Sequence, residues 1–180
     1  MTTFSWQTGA TAEADTASPP DPVFVTDATW GAGRPEVMVV CCSDGRLQEC
    51  MDEFLRRHLG VRHYDRFYAP GGPGALAPSG YEFLRAGHYR EDLTFLIRQH
   101  GVHDLYLIFH GPAPDGPDHA VCAHYSRVMP GGSPEAVRRQ QTEDLADVQA
   151  YLRGLNAVLR VHPYRAEVCA DGHVSFVTMG

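Results

Sequence analysis

The stretch Val37-Met38-Val39-Val40-Cys41-Cys42-Ser43-Asp44-Gly45-Arg46 is an unbroken apolar run that stops at a polar turn. Apolar residues without alternation read as a strand covered on both faces, which is the habit of parallel sheets. Beyond the turn, Leu47, Met51, Phe54, Leu55 and Leu59 recur mostly at three- and four-residue intervals, which predicts an amphipathic helix closed by Gly60. The motif C-x-D-x-R, made by Cys42, Asp44 and Arg46, therefore lies where a buried strand gives way to a helix. That is the carboxyl edge at which α/β sheets place their ligands.

Reading outward, a short strand is expected from His63 to Ala69, followed by the loop Pro70-Gly71-Gly72-Pro73-Gly74, whose glycines allow another group to approach the backbone closely. Tyr89 to His100 reads as a second helix stopped by Gly101, and Asp104 to Phe109 as a third buried strand. A loop is expected from His110 to Gly132. Ser133-Pro134 then supplies an N-cap with proline at the first helical position, opening a long helix through Leu155. Two strand-like runs flank Asp171-Gly172 as a closing hairpin. The expected class is α/β, with a central mostly parallel sheet of about four to five strands flanked by helices. Residues 1–34, rich in Thr, Ala, Ser, Asp, Pro and Gly, read as a flexible arm that offers Phe24, Val25 and Trp30 to a partner subunit. Residues 35–180 then form one domain, since 180 residues do not split comfortably into two.

Composition narrows the function classes. All 15 basic residues are arginines scattered singly or in pairs, and the formal charge is -7, so a nucleic-acid partner is not expected. No apolar run is long enough to span a bilayer and the N-terminus lacks the pattern of a secretory signal, which makes a cytoplasmic protein the expectation. Five cysteines, two of them adjacent, suit a reducing compartment and point to metal binding or burial.

A thiolate is a strong zinc ligand, and a neighbouring carboxylate and guanidinium can exchange between pairing with each other and serving a metal. Cys42-Ser43-Asp44-Gly45-Arg46 has these groups together; the plain alternative is a buried cysteine before a turn. His119-Ala120-Val121-Cys122 supplies an imidazole and a thiolate three apart, beyond a different buried strand. Each motif is weak alone. Together they give two thiolates, one imidazole and one acid, a sensible zinc shell. Cys41 should face the opposite side of its strand from Cys42, while Cys50 and Cys169 read as buried small hydrophobes. His124 and Tyr125 stand close enough to the second motif to relay protons or support a ligand, and surface or packing roles are equally open for them. Arg138-Arg139-Gln140-Gln141 reads as the solvated face of a helix, and Gly71 to Gly74 as a turn without phosphate chemistry.

From Glu36 to the C-terminus the chain resembles the β-class carbonic anhydrases. The resemblance rests on C-x-D-x-R followed at a distance by H-x-x-C, on Ser43-Asp44-Gly45-Arg46-Leu47-Gln48-Glu49, and on His119-Ala120-Val121-Cys122-Ala123-His124-Tyr125. It implies a Zn2+ held by Cys42, His119 and Cys122, with Asp44 and Arg46 as the catalytic pair. It also implies hydration of carbon dioxide to bicarbonate by a zinc-bound hydroxide, and a homodimer or higher homo-oligomer. Carbonyl sulfide or carbon disulfide hydrolysis on the same site, or a zinc-stabilised structural or regulatory protein, are the alternatives. There are three departures from the family pattern. Residues 112–118 intervene between the strand and His119, and an alignment without that insert would put His110 in the ligand slot and Ala113 in the cysteine slot, abolishing the site and leaving no metal. Ala69-Pro70-Gly71-Gly72 replaces an Ala-Gly-Asn loop, and Gly45 stands where a serine is commonest.

Overall fold

The apolar run is a strand, β1 (Val37–Cys42), lying between β2 (Asp65–Ala69) and β3 (Asp104–Pro112) and parallel to both. β3 pairs in parallel with β4 (Arg160–Val168), which pairs antiparallel with β5 (Val174–Thr178) across the hairpin at Asp171-Gly172. The computed structural model thus contains one five-stranded, mostly parallel sheet of order β2-β1-β3-β4-β5. It describes residues 21–78, 83–156 and 158–180, in two units divided after Ala32. Residues 1–20 of the expected arm lie outside the described residues. In the remainder of that arm, Val23, Phe24, Val25 and Trp30 are exposed.

Alternation along β1 sends side chains to two cores. Met38, Val40 and Cys42 join Leu93 and Ile97 of α2 (Phe83–His100) and Val137, Leu145, Val148 and Leu152 of α4 (Pro134–Leu155). Val39 and Cys41 join Met51 of α1 (Gln48–Glu53) and Phe54 and Leu55 of the π-helical turn that continues it. Leu93, Leu107 and Leu152 are almost fully buried, and each such side chain contributes about 1.5–3 kcal/mol. On the α1 face, Phe54 stacks on Phe176 of β5 with ring centroids 4.0 Å apart.

Three expectations are corrected. α2 starts at Phe83 rather than Tyr89: the extra turns bury Ala86 and let Arg85 donate to Tyr89 Oη one turn on. β3 continues past Phe109 through Pro112, because β4 is long enough to pair with it as far as Pro112↔Val168. The expected loop to Gly132 contains a 3-10 turn (Asp118–Ala120) and a short helix, α3 (Ala123–Val128). α4 begins as read, with Ser133 Oγ accepting from the Ala136 N–H at 3.3 Å.

Candidate metal centre

Cys42 is the last residue of β1, His110 lies near the end of β3, and Cys122 immediately precedes α3. Their sulfur and ring-nitrogen atoms all lie within 4.8 Å of one another, and all three residues are buried. The two Sγ atoms are 3.8 Å apart. Two thiolates bound tetrahedrally to zinc at about 2.3 Å each stand about 3.8 Å from one another, so the pair already has the bite that such an ion requires. His110 Nε2 is buried with no hydrogen-bond partner among the described residues, a costly state that a bound cation would relieve. Two sulfurs and one imidazole are a donor set suited to zinc, and the residues fit it.

The electrostatics favour the same use. The Cys42 thiol is held well below its ordinary range by a hydrogen bond from Cys122, with His110 and the Gly71 N–H adding to this against the opposing effect of burial. Cys122 is pushed up by that same shared bond and by burial. The two sulfurs therefore hold one proton between them readily and two only at a cost. Cys41, on the other face, is pushed up to about 12, chiefly by burial, and remains a neutral thiol. Asp44 ends the β1 segment as the N-cap of a 3-10 turn (Gly45–Leu47), accepting from the Arg46 N–H at 3.1 Å. The Arg46 side chain donates from Nε to Oδ1 and Oδ2 at 3.0 and 3.2 Å and from Nη2 to Oδ2 at 2.6 Å. These bonds hold the Asp44 carboxyl down to about 2, and the carboxylate is committed to the guanidinium.

The glycine loop now has a physical reason. At Gly72 (φ +55) a Cβ would stand 2.7 Å from the Cys42 backbone nitrogen, at Gly71 (φ +98) one would stand 2.7 Å from the His124 ring, and at Gly74 one would collide with Tyr125 Oη. The turn is wedged against both cysteine-bearing segments, and only hydrogen at these positions leaves room.

Support also comes from residues read as solvated. Gln141 is fully buried and donates from Nε2 to the His110 carbonyl at 2.9 Å. Arg138 donates to Glu167 Oε1 at 2.7 Å and to the Pro112 carbonyl at 3.2 Å, while Gln140 donates to Asp144 Oδ1 at 2.9 Å. The expectation of a solvated face is thus overturned for Arg138, Gln140 and Gln141, because this part of α4 packs over the ends of β3 and β4, while Arg139 is exposed as expected. Arg165 of β4 is buried beside Gly111, its pKa lowered to about 10 by burial and by Arg138.

Of the residues singled out from sequence, Cys42 and Cys122 meet, with the Asp44–Arg46 pair just beyond Cys42 in the chain. His119 does not join them. It sits exposed in the 3-10 turn Asp118–Ala120, on the wall of a cavity of about 520 Å³ that Asp44 and His110 also line. The imidazole beside the sulfurs is that of His110, because β3 runs three residues further than its apolar pattern and carries His110 to the sheet edge. Cys122 nonetheless keeps its place, so the chain follows neither simple alignment. The signal that could have found His110 was its position directly after the strand's apolar residues. Cys50 and Cys169, expected to be buried, are partly exposed on the wall of the same cavity.

No family model and no curated protein matches the chain. In fold it resembles solved β-carbonic anhydrases. An isoform from the protozoan Trichomonas vaginalis is 15% identical, with 89% of this chain and 90% of that one covered and a TM-score of 0.44. One of the tetrameric β-carbonic anhydrases of the filamentous ascomycete Sordaria macrospora is 14% identical, with 81% of each chain covered and a TM-score of 0.45. An apo form of carbon disulfide hydrolase is 11% identical, covering 79% of this chain and 78% of that one, with a TM-score of 0.40.

Proposed function

We propose that the protein is a zinc-dependent enzyme that hydrates a small linear molecule, most simply carbon dioxide to bicarbonate, with Cys42, His110 and Cys122 as the metal ligands. The observation that carries this reading is the 3.8 Å separation of two buried sulfurs with an imidazole in reach of both. Zinc, when bound, supplies the Lewis acidity that makes water a nucleophile near neutral pH. Arg46 holds Asp44 ionised and turned toward itself, which keeps it from filling a metal position, while a remaining lone pair of the carboxylate can accept a hydrogen bond from a water and orient it. This commitment of Asp44 favours a catalytic centre over a closed structural one, since three protein donors leave one position open. A carboxylate with so low a pKa stores a proton poorly. The proton's path outward runs through the cavity where His119 is exposed, and an imidazole is the side chain suited to relay it.

The test is a carbon dioxide hydration assay on the zinc-loaded protein, run beside sulfide release from carbonyl sulfide and carbon disulfide. The expected outcome is hydration that disappears in Cys42→Ala; activity on none of the three molecules would sink the enzymatic reading. Stoichiometric metal without exchangeable bound water would instead identify a structural zinc protein. We further infer a cytoplasmic location, in keeping with five free cysteines, and a homodimer or higher homo-oligomer, in keeping with the exposed Phe24, Val25 and Trp30. Light scattering that gives the mass of a monomer would remove the last of these. Among the described residues no helix is long and apolar enough to cross a membrane.

A further inference from the structure

The segment that carries Cys122 has little to hold it in place by itself. α3 has six residues, well short of the length at which a helix is stable without tertiary support. The side chain of Tyr125 ties α3 to the rest of the fold. That ring is almost fully buried, and its hydroxyl donates to Asp144 Oδ2 on α4 at 2.5 Å. Asp144 is itself buried, and its other oxygen accepts from Gln140 at 2.9 Å. The hydroxyl also abuts Gly74, whose turn rests at Gly72 against the backbone of Cys42. One continuous line of contacts therefore runs from α4 through Asp144 and Tyr125 Oη to the glycine turn and on to Cys42, with Cys122 three residues before Tyr125 in the chain.

We propose that Tyr125 and Asp144 are a positioning pair that sets the spacing of the Cys42 and Cys122 sulfurs. Neither residue belongs to the Cys42–His110–Cys122 group; they act by fixing the height of α3 above the sheet edge. With the hydroxyl bonded to Asp144 the sulfurs stand at 3.8 Å, and without it α3 is free to shift and the bite opens. The role in metal binding rests on the zinc reading above, whereas the control of sulfur spacing does not.

Two measurements on the full chain separate these. In the first, Tyr125→Phe and Asp144→Asn are compared with wild type by zinc competition against a chelator and by the absorption spectrum of the cobalt-substituted protein. The expected result is a loss of zinc affinity of about 10- to 100-fold, the range typical of outer partners of metal ligands, with a changed thiolate-to-cobalt band. In the second, the metal-free proteins are equilibrated with glutathione disulfide. Each Cys42–Cys122 disulfide formed oxidises two thiols and reduces one glutathione disulfide to two glutathione molecules, and the bridged peptides are quantified by mass spectrometry. The expected result is a lower effective concentration of the two thiols in both variants.

A role confined to stability would lower the melting temperature of the variants while leaving zinc affinity, cobalt spectrum and thiol equilibrium as in wild type, and that result overturns the proposal. Tyr125→Phe preserves the ring and guards against a variant that fails to fold. If wild type binds no zinc, the metal reading falls, and the thiol equilibrium alone then upholds or overturns the positioning pair.

Discussion

At the end of β1, Cys42, Asp44 and Arg46 lie within five consecutive positions, and local chemistry places each of them. The strand ends with Cys42, Asp44 caps the turn that follows, and Arg46 folds back onto Asp44 two residues away. Across the centre, His110 and Cys122 lie on separate elements, and neither is placed by its own stretch of chain. His110 is carried by an extension of β3 that β4 pairs with and Gln141 ties down, while Cys122 depends on the anchoring of a six-residue helix to α4. The same donor set is thus half local and half tertiary. Changes on the β1 side should stay local, and changes on the other side should reach the Cys42–His110–Cys122 cluster from α4.

The largest expected effect tests which imidazole belongs to the centre. His110→Ala should weaken zinc binding by at least about a hundredfold, beyond what loss of an outer partner does, while His119→Ala should retain the wild-type zinc stoichiometry by elemental analysis. The opposite pattern would return the ligand role to His119 and dissolve the contrast between the two sides.

Next in size, Gln141→Ala leaves the His110 carbonyl without its buried donor. Urea unfolding should show a loss of about 1–3 kcal/mol, although the residue lies on the helix that looked solvated in sequence. A neutral substitution there would mean that β3 holds His110 without help from α4.

Gly72→Ala probes the wedge between the two sides. The added methyl meets the Cys42 backbone at a positive φ, so a thermal melt should show a loss of about 1–3 kcal/mol, with weaker metal retention. An unchanged melting temperature would show that the turn can move away from Cys42.

The smallest effect concerns the exposed Asp44–Arg46 pair. Asp44 is depressed to about 2 from an ordinary 3.8, so its stabilising contribution is complete above the unfolded value and is lost as pH falls through the folded one. Arg46→Ala should therefore be less stable than wild type at pH 5 and converge with it as the pH approaches 2. The gap should stay under about 1 kcal/mol because Arg46 is largely exposed to solvent. A gap that widens on acidification would contradict the sign of this linkage.

Much of the architecture was legible in the chain. Unbroken apolar runs gave β1 and most of β3, three- and four-residue spacing gave α1 and part of α2, and Ser133-Pro134 marked the start of α4 to the residue. The misses share one cause. Phe83–His88, the end of β3 and the α3 segment contain histidines, prolines, glycines and short polar stretches whose own preferences say little, and they become regular where a neighbouring element supplies contacts. Arg138, Gln140 and Gln141 look like surface residues by type, yet they point at the ends of β3 and β4 and at Asp144.

What the sequence alone determined is the β1 motif and the α/β pattern around it, because a strand end, a turn cap and a guanidinium two residues away from its carboxylate are all settled within one short stretch of chain. What only the tertiary structure decided is which histidine stands beside the two sulfurs and how far apart those sulfurs lie. Both depend on where β3 stops pairing with β4 and on how α4 holds α3, contacts between residues far apart in sequence that no local pattern encodes.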